Sequence, residues 1–288
     1  MTAVTYHAPN SVAQALGLLA AHPGARVLAG GTDLIVQTRS GRIAPPAFID
    51  LKHVAGLVGV RRTANGFAIG AATPCTALLN DATLCAAWPG VVEAANLIGS
   101  VQVRNRATIG GNLCNASPAA DSVPALVAAG ATCLIAGPQG EREVAAADIP
   151  QGPGRTLLQP DEFVVEIRLP APVSGGADAY LRAIPRTEMD IAVAGAGVWV
   201  VMENGMCTAA RVALGAVAPT VLLVEEAGAA LVGTALDAAA LDRMAEAARA
   251  ACNPIDDKRG TAAYRIHMTG VLARRTALIA RDRAENAA

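Results

Sequence analysis

Two pairs of adjacent glycines, each set in a short polar loop, constrain this chain more than any other feature of its sequence. The first pair, Gly30-Gly31, lies at the end of an apolar run, and the second, Gly110-Gly111, opens the segment TIGGNLCNASPAAD at 108–121. Adjacent glycines let a backbone turn sharply and approach a ligand, and their N–H groups can converge on an anion. One such pair is usually an ordinary turn, but two could hold a pyrophosphate from both sides.

The surroundings of these glycines exclude two common nucleotide sites. Neither pair fits the GxGxxG pattern of a Rossmann fold or the GxxxxGK[ST] pattern of a P-loop. The region 99–122 has no clean periodicity, and a long aperiodic stretch in a compact domain is usually functional. The sequence therefore predicts a dinucleotide whose phosphates are held by backbone donors more than by positive charge.

Composition narrows the possible functions. Hydrophobic residues make up 53% of the 288 residues, but charged residues interrupt them, and no apolar run of about 18 residues suggests a membrane span. A net charge of −1 and an aromatic content of 3% argue against a nucleic-acid partner. The N-terminal sequence MTAVTYHAPN lacks the pattern of a signal peptide, so we expect a cytoplasmic protein.

The side chains that usually carry metal or acid–base chemistry form no pattern. The six cysteines include no CxxC pair, so we expect reduced thiols and no metal site. The four histidines have no common spacing, and there is no triad or carboxylate pair. The sequence therefore predicts no catalytic residue in the acid–base sense. Arg104 and Arg106 could face a phosphate, a partner subunit or solvent.

Periodicity predicts a mixed α+β protein. The first 55 residues are typical of a strand–helix–strand–helix–strand unit, with Ser11 and Gln14 in capping-box positions. The middle region predicts strands at 67–71 and 131–136, and a helix at 86–97. It also predicts a helix at 121–129 with Asp121 as N-cap, and a half-buried strand through Phe163, Val165, Ile167 and Leu169.

The last third predicts a hairpin followed by helices. APVSGGADA at 171–179 indicates a linker, and Asn204-Gly205 is a strong hairpin-turn signal between strands at 191–202 and 206–217. A final helix is expected to bury a stripe of bulky residues: Tyr264, Met268, Val271, Leu272, Leu278 and Ile279.

Four segments together resemble one protein family. AGGTDL at 29–34 and TIGGNLCNASPAAD at 108–121 are specific, and PRTEMDIA at 185–192 and DKRGTAAYR at 257–265 support them. They resemble the FAD-binding medium subunits of molybdenum hydroxylases, the xanthine dehydrogenase and CO dehydrogenase family. In that family the 185–192 motif precedes the C-terminal sheet.

The resemblance implies a fold and a division of the chain. The expected fold is a two-part FAD-binding domain of the vanillyl-alcohol oxidase type, followed by a C-terminal antiparallel sheet with a helical bundle. Its parts would be an N-terminal α/β part at 1–57, a second α+β part at 58–172, and a CO dehydrogenase flavoprotein C-terminal-like domain at 178–288.

The resemblance also implies a set of FAD-binding residues, concentrated in the two glycine loops. They are Ala29, Gly30, Gly31, Thr32, Asp33, Thr108, Gly110, Gly111, Asn112, Ser117, Asp121, Val164 and Arg182. Val164 lies where the family places an aliphatic residue near the flavin. Arg182 lies near a position that is often lysine, which leaves its flavin contact open.

The implied function is electron transfer inside a larger enzyme. Electrons would come from two [2Fe–2S] clusters on a small subunit, pass through FAD, and reach a final acceptor. A large subunit would carry the molybdopterin cofactor, and the assembly would be a dimer of heterotrimers. Two alternatives stay open: a stand-alone FAD-dependent reductase of the same flavin fold, and a non-catalytic nucleotide-binding assembly module.

Overall fold

The structure is a computed structural model that describes residues 4–286. The first three residues of the N-terminal segment considered for a signal peptide lie outside this range. Within the described range, no helix combines the length and the apolar character needed to cross a membrane. Three main sheets follow one another along the chain, each packed with helices.

The first sheet is parallel, and the predicted strand–helix–strand–helix–strand order is confirmed. Its elements are β1 (Thr5–His7), α1 (Val12–Ala21), β2 (Arg26–Leu28), α2 (Leu34–Arg39) and β3 (Ala47–Asp50), with β3 between the other two strands. The hydroxyl of Ser11 accepts the N–H of Gln14 at 3.2 Å, as expected for a cap of α1. Because the strands are parallel, β2 and β3 end at the same edge of the sheet, where the first glycine pair lies.

The second sheet is antiparallel and has the order β4-β5-β10-β6-β7. Its strands are β4 (Val60–Thr63), β5 (Gly66–Gly70), β6 (Thr132–Gly137), β7 (Gly140–Ala145) and β10 (Phe163–Pro170). A separate two-stranded ribbon consists of β8 (Pro150–Gly152) and β9 (Arg155–Thr156). The strands predicted at 67–71 and 131–136 are confirmed within one residue at each end.

Six helices accompany the second sheet, and the prediction of one continuous helix at 86–97 was wrong. They are α3 (Cys75–Leu79), α4 (Ala82–Ala87), α5 (Pro89–Asn96), α6 (Val101–Arg104), α7 (Ile109–Cys114) and α8 (Ser122–Ala129). The single helix predicted at 86–97 is the end of α4 and all of α5, because Pro89 cannot continue α4 but suits the first position of a new helix. The aperiodic region 99–122 contains two short helices, α6 and α7, which are too short to show a period.

Strand β10 is buried on both faces, so the prediction of a half-buried strand was wrong. A bulge between Val164 and Glu166 changes which face the odd-numbered residues occupy. Phe163 and Val165 pack in the core shared with the first sheet, whereas Ile167 packs in the core beneath α5 and α8. The shared core joins the first and second sheets into one packed body.

The third sheet is antiparallel, in the order β11-β12-β13-β14, and three helices accompany it. Its elements are β11 (Gly176–Ala183), β12 (Ala194–Glu203), β13 (Met206–Gly215), β14 (Leu222–Leu223), α9 (Glu225–Ala229), α10 (Ala238–Ala250) and α11 (Ala262–Asn286). The predicted hairpin is confirmed, because Asn204 and Gly205 both have positive φ, 51° and 76°, between β12 and β13.

Two expectations about this region are corrected. The linker predicted at 171–179 ends at 175, because Gly176 already pairs in β11. The charged segment 185–192 connects β11 to β12, so it lies inside the third sheet rather than before it.

Helix α11 is confirmed, and the predicted stripe is confirmed in part: Leu272 is buried, and Met268, Leu278 and Ile279 pack against the core. Tyr264 is 48% exposed, whereas the buried positions are mostly small. They are Arg265, Thr269, Gly270, Leu272, Ala273, Thr276, Ala277, Ala280 and Ala284. Strands β11 and β12 carry alanine and glycine beneath this helix, so small side chains on both surfaces let the helix and the sheet pack closely.

Candidate functional site

The two glycine loops meet in space. A Cβ atom at Gly30 would lie 2.0 Å from the carbonyl oxygen of Arg106 and 3.0 Å from the Cα of Ala107. The backbone of the first loop therefore lies directly against the residues that precede Thr108, with no room for a side chain. The structure thus brings together two segments that are more than 70 residues apart in the sequence.

A side-chain hydrogen bond fastens the same junction. The Nε2 of Gln37 on α2 donates to the Oδ1 of Asn115, which follows α7, at 3.0 Å. The sequence did not single out Gln37, and it gave Asn115 no role of its own. Each lies a few residues after a glycine pair, which was the available signal.

The first loop offers a row of free backbone donors. None of the N–H groups from Gly30 to Leu34 donates a hydrogen bond to another group of residues 4–286. Gly31 has a φ of 76°, which turns the chain at this point, and Asp33 makes no side-chain cap on α2. A row of unpaired N–H groups before a turn is suited to the oxygen atoms of a phosphate.

The second glycine pair occupies the first turn of α7, where two predicted ligand residues build the backbone itself. The Oγ1 of Thr108 accepts the N–H of Gly111 at 2.8 Å and caps the helix. The Oδ1 of Asn112 accepts the N–H of Ser122 at 3.1 Å and its hydroxyl at 2.7 Å, so it fixes the start of α8. A Cβ at Gly110 would lie 2.6 Å from the Ala71 carbonyl oxygen.

Asp121 has a different role from the N-cap that was predicted. It precedes α8 with helical angles (φ −63°, ψ −41°), and its side chain makes no capping bond. Its Oδ2 instead pairs with the Nη1 of Arg182 at 2.6 Å. Burial raises the pKa of Asp121 to about 6, although Arg182 counteracts this, and burial next to Asp121 raises the pKa of Tyr180.

This pair also leaves unused hydrogen-bonding capacity beside the second loop. Among the described residues, the Oδ1 of Asp121 and the Nε of Arg182 are buried and have no hydrogen-bond partner. One atom is an acceptor and the other a donor. A buried acceptor and donor without partners are unusual, and a ligand with a polar edge would satisfy both.

The remaining predicted residues differ in their surroundings. Ser117 is exposed, and its hydroxyl accepts the N–H of Ala119 at 3.3 Å. Val164 is buried in the core that also contains Ile109 of α7. Burial raises the pKa of Cys114 to about 12, so its thiol is protonated, in agreement with a packing role.

The two arginines before the second loop do not behave alike. Arg104 is buried, and its Nη1 lies 3.4 Å from the carbonyl oxygens of Ile98 and Gly99. It supports the chain before the second loop and is not a solvated residue. Arg106 is exposed.

Three charged or polar residues beneath the first loop were missed by sequence reasoning. They are Lys52, Asp50 and Tyr6, which form a hydrogen-bonded network that ends at the Ala29 carbonyl. Tyr6 lies on β1, whereas Asp50 ends β3 and Lys52 follows it in a short helical turn, so no spacing rule connects all three. Over residues 4–286, no cluster of three histidine, cysteine or acidic side chains is arranged to hold a metal ion.

Two family models match the two parts of this chain. Residues 2–172 match the family described as the FAD binding domain in molybdopterin dehydrogenase. Residues 179–280 match the CO dehydrogenase flavoprotein C-terminal domain. The chain belongs to the FAD-binding subunits of molybdopterin dehydrogenases.

Similar proteins span this chain almost completely. The carbon monoxide dehydrogenase medium chain of Afipia carboxidovorans is 40% identical, over 98% of this chain and 98% of its own. A putative xanthine dehydrogenase FAD-binding subunit of Escherichia coli is 30% identical, over 94% of each chain.

A solved structure extends the similarity to the fold. A chain of the reconstituted CO dehydrogenase from Oligotropha carboxidovorans superposes with a TM-score of 0.94 at 39% identity, with 98% of each chain covered. The mixed helix and sheet fold of this family is therefore present here, and the resemblance inferred from the four motifs is confirmed.

Proposed function

We propose that this chain binds one FAD across the junction of its two glycine loops and serves as the electron-transfer subunit of a molybdenum hydroxylase. The observation that carries the proposal is the row of free N–H groups from Gly30 to Leu34, placed against the second loop. Membership in the family supplies the identity of the dinucleotide.

The proposed contacts follow from the groups that remain free. The N–H groups of the first loop, in the segment Ala29–Asp33, would hold the pyrophosphate together with the first turn of α7. The amide nitrogen of Asn112 and the hydroxyl of Ser117 would face the sugar chain. The free atoms of Asp121 and Arg182 would meet the polar edge of the ring, with Val164 on its apolar side.

In the proposed function the protein binds and orients FAD, and the electron-transfer chemistry belongs to the cofactor. When bound, FAD supplies a group that exchanges electrons singly or in pairs. The chain's own residues bind and orient it: glycines allow close approach, backbone donors balance the phosphate charge, and the buried Asp121–Arg182 pair fixes the ring end. No proton donor or base on this chain is needed for electron transfer.

Partners and compartment belong to the same proposal. A relative called a medium chain implies a larger and a smaller companion. We therefore expect a large molybdopterin-binding subunit and a small subunit with two [2Fe–2S] clusters, in a dimer of heterotrimers in the cytoplasm. The vanillyl-alcohol oxidase type of fold, with parts at 1–57, 58–172 and 178–288, completes the proposal.

Purification of the full chain, alone and with the subunits encoded beside it, tests the function. We expect stoichiometric FAD on the chain, no turnover by the chain alone, and flavin reduction by substrate only in the assembled complex. A colourless chain that still assembles with partners would favour the assembly module. Substrate reduction by the isolated chain with a nicotinamide would favour the stand-alone reductase.

A further inference from the structure

The lysine beneath the first glycine loop is bound to the loop's own backbone. The Nζ of Lys52 donates to the carbonyl oxygen of Ala29 at 2.9 Å and to the Oδ1 of Asp50 at 2.6 Å. The Oδ2 of Asp50 accepts the phenol of Tyr6, and its Oδ1 also accepts the N–H of Lys52 at 3.0 Å. The ammonium group of Lys52 is therefore held between a carboxylate and a peptide carbonyl.

The sheet explains why these groups meet. β3 lies between β1 and β2, and the register pairs Leu28 of β2 with Asp50 of β3. Asp50 thus lies beside the residue at which the first loop begins. Its side chain is only 3% exposed, and that of Lys52 is 22% exposed. Burial alone would raise the pKa of Asp50, but the hydrogen bonds from Lys52 and Tyr6 outweigh it and lower the pKa.

The carbonyl that Lys52 binds belongs to the same peptide unit as the first free donor. In a planar trans peptide the C=O and N–H point in opposite directions. A cation that holds the Ala29 oxygen therefore turns the N–H of Gly30 away from Lys52. It also polarises the peptide and makes that N–H a stronger donor.

A second contact fixes the same residue by a different means. The Cα of Gly30 is packed against the Arg106 carbonyl, which sets its position. Packing of one Cα does not set the rotation of the peptide plane that precedes it. The ammonium of Lys52 supplies that restraint, and it is charge-assisted, so it is stronger than a neutral hydrogen bond.

We propose that Lys52, anchored by Asp50 and Tyr6, is a positioning residue that orients the Ala29–Gly30 peptide for a pyrophosphate. This inference rests on the proposed function, because it needs a dinucleotide at the first loop. Since Asp50 balances the charge of Lys52, the lysine acts on the orientation of the donor and not as a free counter-charge.

The test uses the full chain freed of flavin and three probes: FAD, ADP and riboflavin. FAD and ADP contain the pyrophosphate, and riboflavin does not. For Lys52→Met we expect the Kd values for FAD and ADP to rise together by about tenfold, because a misaligned Gly30 N–H weakens one charge-assisted hydrogen bond to the pyrophosphate. The Kd for riboflavin should not change.

Conservative variants and a matched control separate positioning from folding. Lys52→Arg keeps a cation within reach of the carbonyl and should recover most of the affinity. Tyr6→Phe removes one anchor of Asp50 and should weaken both pyrophosphate ligands to a smaller degree. Lys258, the other lysine of the chain, is exposed and serves as the control in Lys258→Met.

A purely structural role would give a different pattern. If Lys52→Met lowers the melting temperature and weakens FAD, ADP and riboflavin by the same factor, or if FAD binds as in the wild type, the inference is wrong. In these outcomes the wild-type chain still binds FAD, and the proposed function stands. If the wild-type chain itself binds neither FAD nor ADP, the proposed function fails, and this inference fails with it.

Discussion

Substitution of Gly30 by alanine tests the feature on which the candidate site depends, the contact between the two glycine loops. The added Cβ would lie 2.0 Å from the Arg106 carbonyl oxygen, 2.6 Å from its carbonyl carbon and 3.0 Å from the Cα of Ala107. All three are backbone atoms, so no side-chain rotation can relieve the overlap. The first loop and the segment before Thr108 must move apart.

The size of the movement sets the expected loss of stability. An ordinary contact begins near 3.4 Å, so the loops must separate by about 1.4 Å at the closest pair of atoms. Overpacking of this kind typically costs about 1–3 kcal/mol, and rigid backbone on the opposing side favours the upper part of that range. For a domain of 150–250 residues, about 2–3 kcal/mol lowers the melting temperature by about 4–12 °C.

The assay is thermal unfolding of the flavin-free chain, with Gly111→Ala as the matched control. A Cβ at Gly111 meets only the Oγ1 of Thr108, at 2.9 Å, and alanine is the better helix former. We expect Gly111→Ala to unfold within about 3 °C of the wild type, but to bind FAD more weakly, because its methyl group adds volume at the first turn of α7, where the pyrophosphate is proposed to lie. If flavin-free Gly30→Ala melts as the wild type does, the loops do not meet as described.

Substitutions at three further residues test contacts that support the site. Burial raises the folded-state pKa of Asp178 to about 7, above an unfolded value of about 3.9, so the free energy of unfolding should fall as the pH rises from about 4 to about 7. Asp178→Asn should flatten this dependence in urea titrations across that range, and an unchanged slope would contradict it. Asn112→Ala should lower the free energy of unfolding by about 1–3 kcal/mol, because the start of α8 loses its hydrogen-bond acceptor. Asn112→Asp keeps the acceptor and should fold normally, yet bind FAD more weakly. Equal stability of the two variants would contradict the capping role. Arg211→Met should lower the free energy of unfolding in urea by about 1.5–3 kcal/mol, because the guanidinium donates to two carbonyls at the end of α8. A loss below about 0.5 kcal/mol would contradict this.

Elements whose signal is local could be predicted from the sequence. The Asn204-Gly205 turn needs two residues with positive φ, and few residue pairs tolerate that. These two residues were therefore enough to predict the hairpin. The cap at Ser11 is equally local. The start of β11 was mistaken for a linker because Gly176 and its neighbours are small. Their size serves the close approach of α11, a contact made about 90 residues later in the chain.

In the candidate site, too, the local features could be predicted from the sequence and the long-range contacts could not. The glycine pairs were visible because glycine is required where backbones approach. The bonds that hold them, from Gln37 to Asn115 and from Lys52 to Ala29, join residues 78 and 23 positions apart. Asp121 is a residue type that often caps a helix, but its carboxylate pairs with the buried Arg182 instead, because a hydrogen bond between two charged groups is stronger than a cap to a backbone N–H.

The third sheet completes the helices of the second sheet instead of merely following them. Asp178 on β11 accepts the N–H groups of Gly90 and Val91, both at 3.0 Å, where Trp88 provides no side-chain cap for α5. Arg182, on the same strand, holds Asp121 at the start of α8. Arg211 on β13 binds the carbonyls at the end of α8.

In each case the side chain supplies what the helix end or the buried charge lacks: carboxyl oxygens as acceptors at an N-terminus, and guanidinium groups at a C-terminus and beside Asp121. A chain shortened after 172 would leave these helix ends and the Asp121 carboxylate without partners. The second glycine loop lies between α6 and α8, so its geometry depends on residues that come after the region matching the FAD-binding family. The C-terminal third therefore supports the proposed flavin site, and we expect the 2–172 segment alone to bind FAD more weakly than the full chain does.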